Sequence, residues 1–163
     1  MPNFAEQVVQ RLEDLGVKRI YGLVGDSLNP LSDAVRQSDI EWVHVRNEEA
    51  AAFAAGADSL ASDELAVCGA SCGPGNTHFV QGLYESHRDG AKVLAIASHI
   101  PTIEIGSSFF QETHPELLFQ ECSSYCEVVH EADQGMRVLH NALQNTLAGN
   151  GVSVMVVPGD VFA

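Results

Sequence analysis

Short, nearly continuous apolar runs recur along the chain, and most are separated by stretches whose apolar residues repeat at helical spacing. Val93-Leu94-Ala95-Ile96-Ala97 and the run from Val152 to Val157 are the clearest. Neither approaches the roughly 20 residues that a membrane-spanning helix needs. Both fit strands covered on two faces, which lose the polar alternation of a half-exposed sheet. Strands are predicted at Arg19 to Val24, Glu41 to Val45, Leu65 to Ala70, Ala91 to Ser98, Tyr125 to Val129 and Val152 to Val157. Helices are predicted at Phe4 to Leu15, from Asn29-Pro30 onward, at Glu48 to Ser62, Asn76 to Arg88 and Asp133 to Ala148, with a short one at Pro115 to Phe119.

Local signals support these bounds. Asn3 and Glu6 form a capping-box pattern, Phe4, Val8, Leu12 and Leu15 mark one helix face, and Gly16 is a natural stop. Pro30 suits a first helical turn and Asn47 suits an N-cap. Strands alternating with helices imply a parallel sheet with right-handed crossovers. The expected fold is α/β: a three-layer α/β/α sandwich around a doubly wound, six-stranded parallel sheet. With 163 residues, 45% of them hydrophobic, the chain is expected to form one domain over residues 1–163.

The net charge of −14 opposes phosphate backbones and anionic lipid, so neither nucleic acid nor direct membrane contact is expected of this domain. The opening residues lack a basic region followed by an apolar run, so a cytoplasmic location is expected. Cys68, Cys72, Cys122 and Cys126 lack zinc-type spacing and are expected to be reduced, mostly buried thiols. The seven histidines form no metal pattern, and no metal site is expected; His78, His87 and His114 are read as solvated or structural.

Ligands of doubly wound sheets sit beyond the carboxyl ends of the strands. The segments that fall there are Gly25-Asp26-Ser27, Arg46-Asn47-Glu48, Ser71 to Gly75 and Ser98 to Gln111. No dinucleotide fingerprint or P-loop is present. Gly73-Pro74-Gly75 is either a tight strand-to-helix connection or an anion cradle. Glu48 and Glu49 are either ordinary first-turn acids facing a helix dipole, or Glu48 is a functional carboxyl at the end of a buried strand. The alanine-rich stretch from Ala50 to Ala61 is either a core helix or a subunit interface. Phe109-Phe110 suggests a covered apolar pocket, with a core plug as the alternative.

The order of these segments carries more than any one of them. Tyr21-Gly22-Leu23-Val24-Gly25-Asp26, Arg46-Asn47-Glu48-Glu49-Ala50, Gly73-Pro74-Gly75-Asn76, Gly82-Leu83-Tyr84, Phe110-Gln111-Glu112 and Pro158-Gly159-Asp160 together resemble the pyrimidine-binding domain of thiamine-diphosphate enzymes. Within that family, Gly69 to Asn76, His99-Ile100-Pro101, Glu112-Thr113-His114-Pro115 and Cys122 to Glu127 are most similar to bacterial pyruvate dehydrogenase (quinone), or pyruvate oxidase. The resemblance covers essentially the whole chain.

The resemblance implies a shared thiamine diphosphate site. Glu48 would hydrogen-bond the cofactor's aminopyrimidine and favour its imino tautomer. Gly25, Gly73, Pro74, Gly75 and Asn76 would line the cofactor pocket, and Phe110 and Gln111 would face pyruvate. The helix Ala50–Ala61 would lie in a homo-oligomer interface, dimeric or tetrameric. Mg2+ and FAD are expected only in the full-length enzyme, as are the quinone acceptor and attachment at the inner face of the cell membrane. Two departures stand out. Asn47 replaces the family's usual histidine, and the metal-and-diphosphate signature is absent, since Ser27 follows Gly25-Asp26 and Val161 follows Gly159-Asp160. The isolated chain is therefore expected to be inactive. An acetolactate-synthase-type domain and a non-catalytic oligomerisation or binding module are the alternative readings.

Overall fold

The computed structural model describes residues 2–163. The N-terminal helix α1 (Phe4–Asp14) has its capping box: Asn3 Oδ1 accepts from Glu6 N–H and Glu6 Oε2 accepts from Asn3 N–H. The strands are β1 (Arg19–Gly22), β2 (Glu41–His44), β3 (Ala66–Ala70), β4 (Val93–His99), β5 (Tyr125–Val128) and β6 (Ser153–Pro158). Between them run α2 (Asn29–Arg36), α3 (Glu48–Ser62), α4 (Pro74–Arg88), a one-turn α5 (Pro115–Leu118) and α6 (Ala132–Asn145).

All the pairings are parallel, in the order β2-β1-β3-β4-β6-β5. The expected doubly wound α/β sandwich is the observed fold. Its central strands β3, β4 and β6 are buried along their length, whereas the edge strands β2 and β5 are partly exposed. The first strand is shorter than predicted. Leu23 and Val24 leave the ladder, and Val24 is 49% exposed, because the chain turns at Gly25 into a 3₁₀ turn at Asp26–Leu28. The helix read as starting at Asn76 starts at Pro74, since proline's fixed φ suits the first helical position.

The two faces of the sheet carry side chains of different size. Ile20, Val67, Leu94, Ile96, Met155 and Val157 meet α1, α2 and α6 on one face. Ala66, Cys68, Ala70, Ala95 and Ala97 meet Ala51, Ala52 and Ala55 of α3 and Phe79 and Leu83 of α4 on the other. Period-two alternation within fully buried strands thus produces a thick side and a thin side. On the thin side the helices themselves touch through small residues. A Cβ built on Gly82 would lie 2.6 Å from Ala52 Cβ, 2.8 Å from Phe53 N and 2.9 Å from Glu49 O. One turn later Gly56 abuts Ser86, whose hydroxyl donates to the Ala52 carbonyl at 3.4 Å. Both pairs are 30 residues apart in sequence (82 − 52 and 86 − 56). The helices therefore run in the same direction with their turns matched.

On the thick side, Phe4 stacks on Phe162 with ring centroids 6.0 Å apart, and Ala5 N–H donates to the Phe162 carbonyl at 3.0 Å. The four cysteines are free: Cys68, Cys72 and Cys122 are buried and Cys126 is half-buried.

Two outcomes are expected. Gly82→Ala improves helix propensity by about 1 kcal/mol, but it forces a methyl against backbone atoms that cannot rotate away. Overpacking costs about 1–3 kcal/mol, so a net loss of up to about 2 kcal/mol in urea unfolding is expected, and a stabilised variant would contradict the close helix contact. Burial pushes the Cys122 thiol up to about 11 and Cys126 up to about 12. A folded-state value above the unfolded one gives stability that is intact below the ordinary thiol value, about 8.5. That stability is lost as pH climbs through about 11 and 12. Cys122→Ser and Cys126→Ser should each flatten the alkaline fall in unfolding free energy.

Candidate functional site

Strand β1 lies between β2 and β3, so the chain leaves it in one direction and returns on the other side. A crevice at the carboxyl edge follows from that reversal. Gly25 lies just beyond β1, Glu48 beyond β2, Ser71 to Gly75 beyond β3, and His99 ends β4.

Glu48 opens α3. Asn47 adopts an extended backbone (φ −158°, ψ 140°) and its side chain accepts from Glu49 N–H at 2.8 Å, so the expected cap is formed. Glu48 is 6% exposed although it stands at a helix end. Its Oε2 is 3.0 Å from His78 Nδ1, on the second turn of α4. Its Oε1 lies against Gly75, only 3.0 Å from where a Cβ would sit there. A side chain at residue 75 would occupy the space in front of the carboxylate, and glycine leaves it open. His78, read from sequence as solvated or structural, is half-exposed and paired with the buried acid. The pair repeats the 30-residue offset of the helix contact below it.

The Gly73-Pro74-Gly75 turn is held from three sides. Gly73 has φ +66°, the left-handed region that favours glycine, and a Cβ there would meet Gln111 Cβ and O, both at 2.9 Å. Gln111 therefore packs directly on the turn. Gly25 approaches Ser71 from the other side, with a built Cβ 2.6 Å from Ser71 Cβ. Beneath them, Ser27 Oγ accepts from Cys72 N–H at 3.0 Å and lies 3.0 Å from Ser71 Oγ. Ser98 Oγ donates to the Ser27 carbonyl at 2.8 Å. The Asn76 amide donates to the Ser98 carbonyl at 2.8 Å.

The structure thus brings Gly25, Glu48, Gly73, Gly75 and Gln111 together. Pro74 is exposed at the start of α4. Asn76 is fully buried and directed at β4, where its amide ties α4 to the strand. Phe110 is 84% exposed and Phe109 is half-buried, their rings 4.7 Å apart. The pair neither plugs the core nor lies in a pocket covered by this chain. Sequence gave no signal for the Ser27–Ser71–Ser98 links, because each joins residues 44 or more positions apart.

The loop carrying Phe110 is tied by its own acid. Glu112 accepts from Gly106 N–H at 2.6 Å and Ser108 N–H at 2.8 Å. The bond from Gly106, more than any other influence, holds the Glu112 carboxyl below the usual glutamate range. A second cleft, about 410 Å³, lies at the ends of β4, β5 and β6 and is lined by His99, Glu112, His114, Cys126 and Val128 among others. Burial pushes His99 down, so it is neutral at pH 7. Among the described residues no group of three or more His, Cys, Asp and Glu is placed to hold a metal ion.

With this geometry in place, similarity to known proteins becomes specific. The family model for the thiamine pyrophosphate enzyme, N-terminal TPP binding domain, matches residues 2–120. The chain belongs to the thiamine pyrophosphate enzyme family. It is 55% identical, over 96% of its length, to 40% of the uncharacterized 42.6 kDa protein in isoamylase 3'region of Pseudomonas amyloderamosa. It is 33% identical, over 94% of its length, to 26% of the pyruvate oxidase of Lactiplantibacillus plantarum. It is 30% identical, over 98% of its length, to 29% of the acetolactate synthase isozyme 2 large subunit of Escherichia coli. The chain spans less than half the length of each of these relatives.

The role of Glu112 has a direct check. A carboxyl depressed in the folded state adds order that is present above its unfolded value, about 4.3, and lost as pH falls below it. Exchange protection of the Gly106 and Ser108 amides should fade below about pH 4 and be missing at pH 7 in Glu112→Ala. Equal protection in wild type and variant would remove the loop anchor.

Proposed function

We propose that this chain is a single domain, residues 1–163, that supplies the Glu48-bearing half of a thiamine diphosphate site in a pyruvate:quinone oxidoreductase. The observation that carries the reading is the placement of Glu48. A buried carboxylate faces a glycine-lined opening at the crevice of a sheet whose family binds thiamine pyrophosphate.

The residues present fit the pyrimidine end of the cofactor. A side chain at Gly75 would fill the space in front of Glu48 Oε1, and one at Gly25 would displace Ser71, which borders the same turn. A carboxyl there can give a proton to a ring nitrogen and take it back. Gly73, Pro74 and Gly75 would form the wall of the cleft, and the buried Asn76 would hold that wall by its bond to β4. Gln111, packed on Gly73, would present its amide toward substrate, with Phe110 beside it as a cover completed by another part of the assembly. Thiamine diphosphate, when bound, supplies the carbon nucleophile that attacks the ketone of pyruvate and accepts the electrons left by departing carbon dioxide. Mg2+ for the diphosphate and FAD for electron transfer to quinone would be held outside these residues.

The outer face of α3, with Ala50, Ala57, Leu60 and Ala61 exposed, would pair with a second copy to complete the site. Small side chains permit the close backbone approach that such an interface needs. In this reading the protein works in the cytoplasm, on the membrane face where quinone is reached. Among the described residues no helix is long and apolar enough to cross a membrane.

Acetolactate synthesis is the second reading, favoured by the E. coli relative that covers nearly the same share of the chain. Product analysis of the cofactor-loaded enzyme separates the two: acetate with reduced quinone, or acetolactate. In either case Glu48→Gln should lower pyruvate turnover by at least about a hundredfold, the scale of general acid–base catalysis. Wild-type turnover in that variant would refute the role of Glu48.

A further inference from the structure

Glu48 poses a problem that its burial makes acute. In its proposed role Glu48 exchanges its proton with the cofactor's ring nitrogen, and any proton that pair loses to the reaction in a cycle must be replaced from solvent, yet the residue that receives it is 6% exposed. Of its two oxygens, Oε1 faces Gly75 and Oε2 meets His78 Nδ1 at 3.0 Å. The His78 side chain is 50% exposed and that of Glu48 8%, so one imidazole joins the buried acid to bulk water.

Imidazole suits this place because its two nitrogens are coupled: as one gives up a proton, the other can take one. When Glu48 is ionised, Nδ1–H donates to Oε2. When Glu48 is protonated, the Oε2 hydroxyl donates to Nδ1. The 3.0 Å contact is therefore kept in both states, and no side chain has to move. An amide in place of His78 could also bond the carboxyl in either state, but it could not release or accept a proton near neutral pH.

We propose that His78 is the proton relay between solvent and Glu48. The inference rests on the reading of Glu48 as the acid–base group. In the recharging direction the Nδ1–H bond breaks and its proton bonds to Glu48 Oε2. Nε2 takes one proton from water or a buffer acid, which keeps the electron pair. His78 ends neutral with hydrogen on Nε2, Glu48 ends as a carboxylic acid, and the donor ends one proton poorer. The reverse sequence discharges Glu48 to solvent. His78 acts through Glu48 and positions it as well, since the bond to Oε2 holds Oε1 toward Gly75.

Two measurements test this. In the chain alone, nitrogen-15 spectra of the His78 ring should show the Nδ1–H tautomer in wild type and revert to the tautomer mixture of a free imidazole in Glu48→Leu. A free-imidazole pattern in wild type overturns the proposal. In the cofactor-loaded enzyme, His78→Ala and His78→Gln should both lower kcat by tenfold to a hundredfold. KM for pyruvate and affinity for thiamine diphosphate should stay within twofold, and added imidazole should restore His78→Ala. Wild-type kcat in His78→Gln, or failure of imidazole to rescue His78→Ala, overturns the relay and leaves only an anchor. Glu48→Gln is the control for the underlying reading. If it is inactive while His78→Ala is normal, the relay alone falls; if it is fully active, the role of Glu48 falls with it.

Discussion

The contact between α3 and α4 is the constraint on which the site depends. Gly82 against Ala52 and Gly56 against Ser86 let two helices approach until backbone nearly meets backbone. Larger residues at these positions would separate the helices by an ångström or more, because interiors do not compress to absorb added atoms. The matched turns then extend upward by one more step. His78 stands over Gly82 and Glu48 over Ala52, four residues earlier on each helix, and the two side chains meet at 3.0 Å. The geometry of the acid and its imidazole is thus a product of helix packing below them.

A second support comes from the strand ends. Ser27, Ser71, Ser98 and Asn76 link the ends of β1, β3 and β4 by hydrogen bonds that are largely shielded from water. Each bond satisfies a polar group that would otherwise be buried at a cost of about 1–3 kcal/mol. The Gly73-Pro74-Gly75 turn lies on top of this frame and under Gln111. The wall of the opening is fixed by hydrogen bonds, and the carboxylate is fixed by helix packing.

Much of the fold was legible because burial leaves a one-dimensional trace. Continuous apolar runs marked β4 and β6, Asn3 and Asn47 marked helix starts, and the order of βα units indicated a doubly wound sheet. Glu48 and the Gly73–Gly75 turn were also readable, since both fall at strand ends. Other features depended on pairings that leave no local trace. His78 looked like any surface histidine until α4 was laid beside α3. Phe110 looked like a pocket lining, but an aromatic residue is covered only if something lies over it, and sequence does not record what does. Leu23 and Val24 extended an apolar run past the point where the sheet's hydrogen bonding ends.

The stacking of Phe4 on Phe162 carries a consequence for how the chain is made. α1 cannot finish burying its apolar face until the second-last residue of this segment has been synthesised, because that residue closes over it. During translation the first helix therefore waits, part of its hydrophobic surface open to water, while the sheet assembles strand by strand. Contacts between such distant positions form late and slowly. The ribosome-bound chain is most exposed to mispairing along α1, and chaperone capture would act there first.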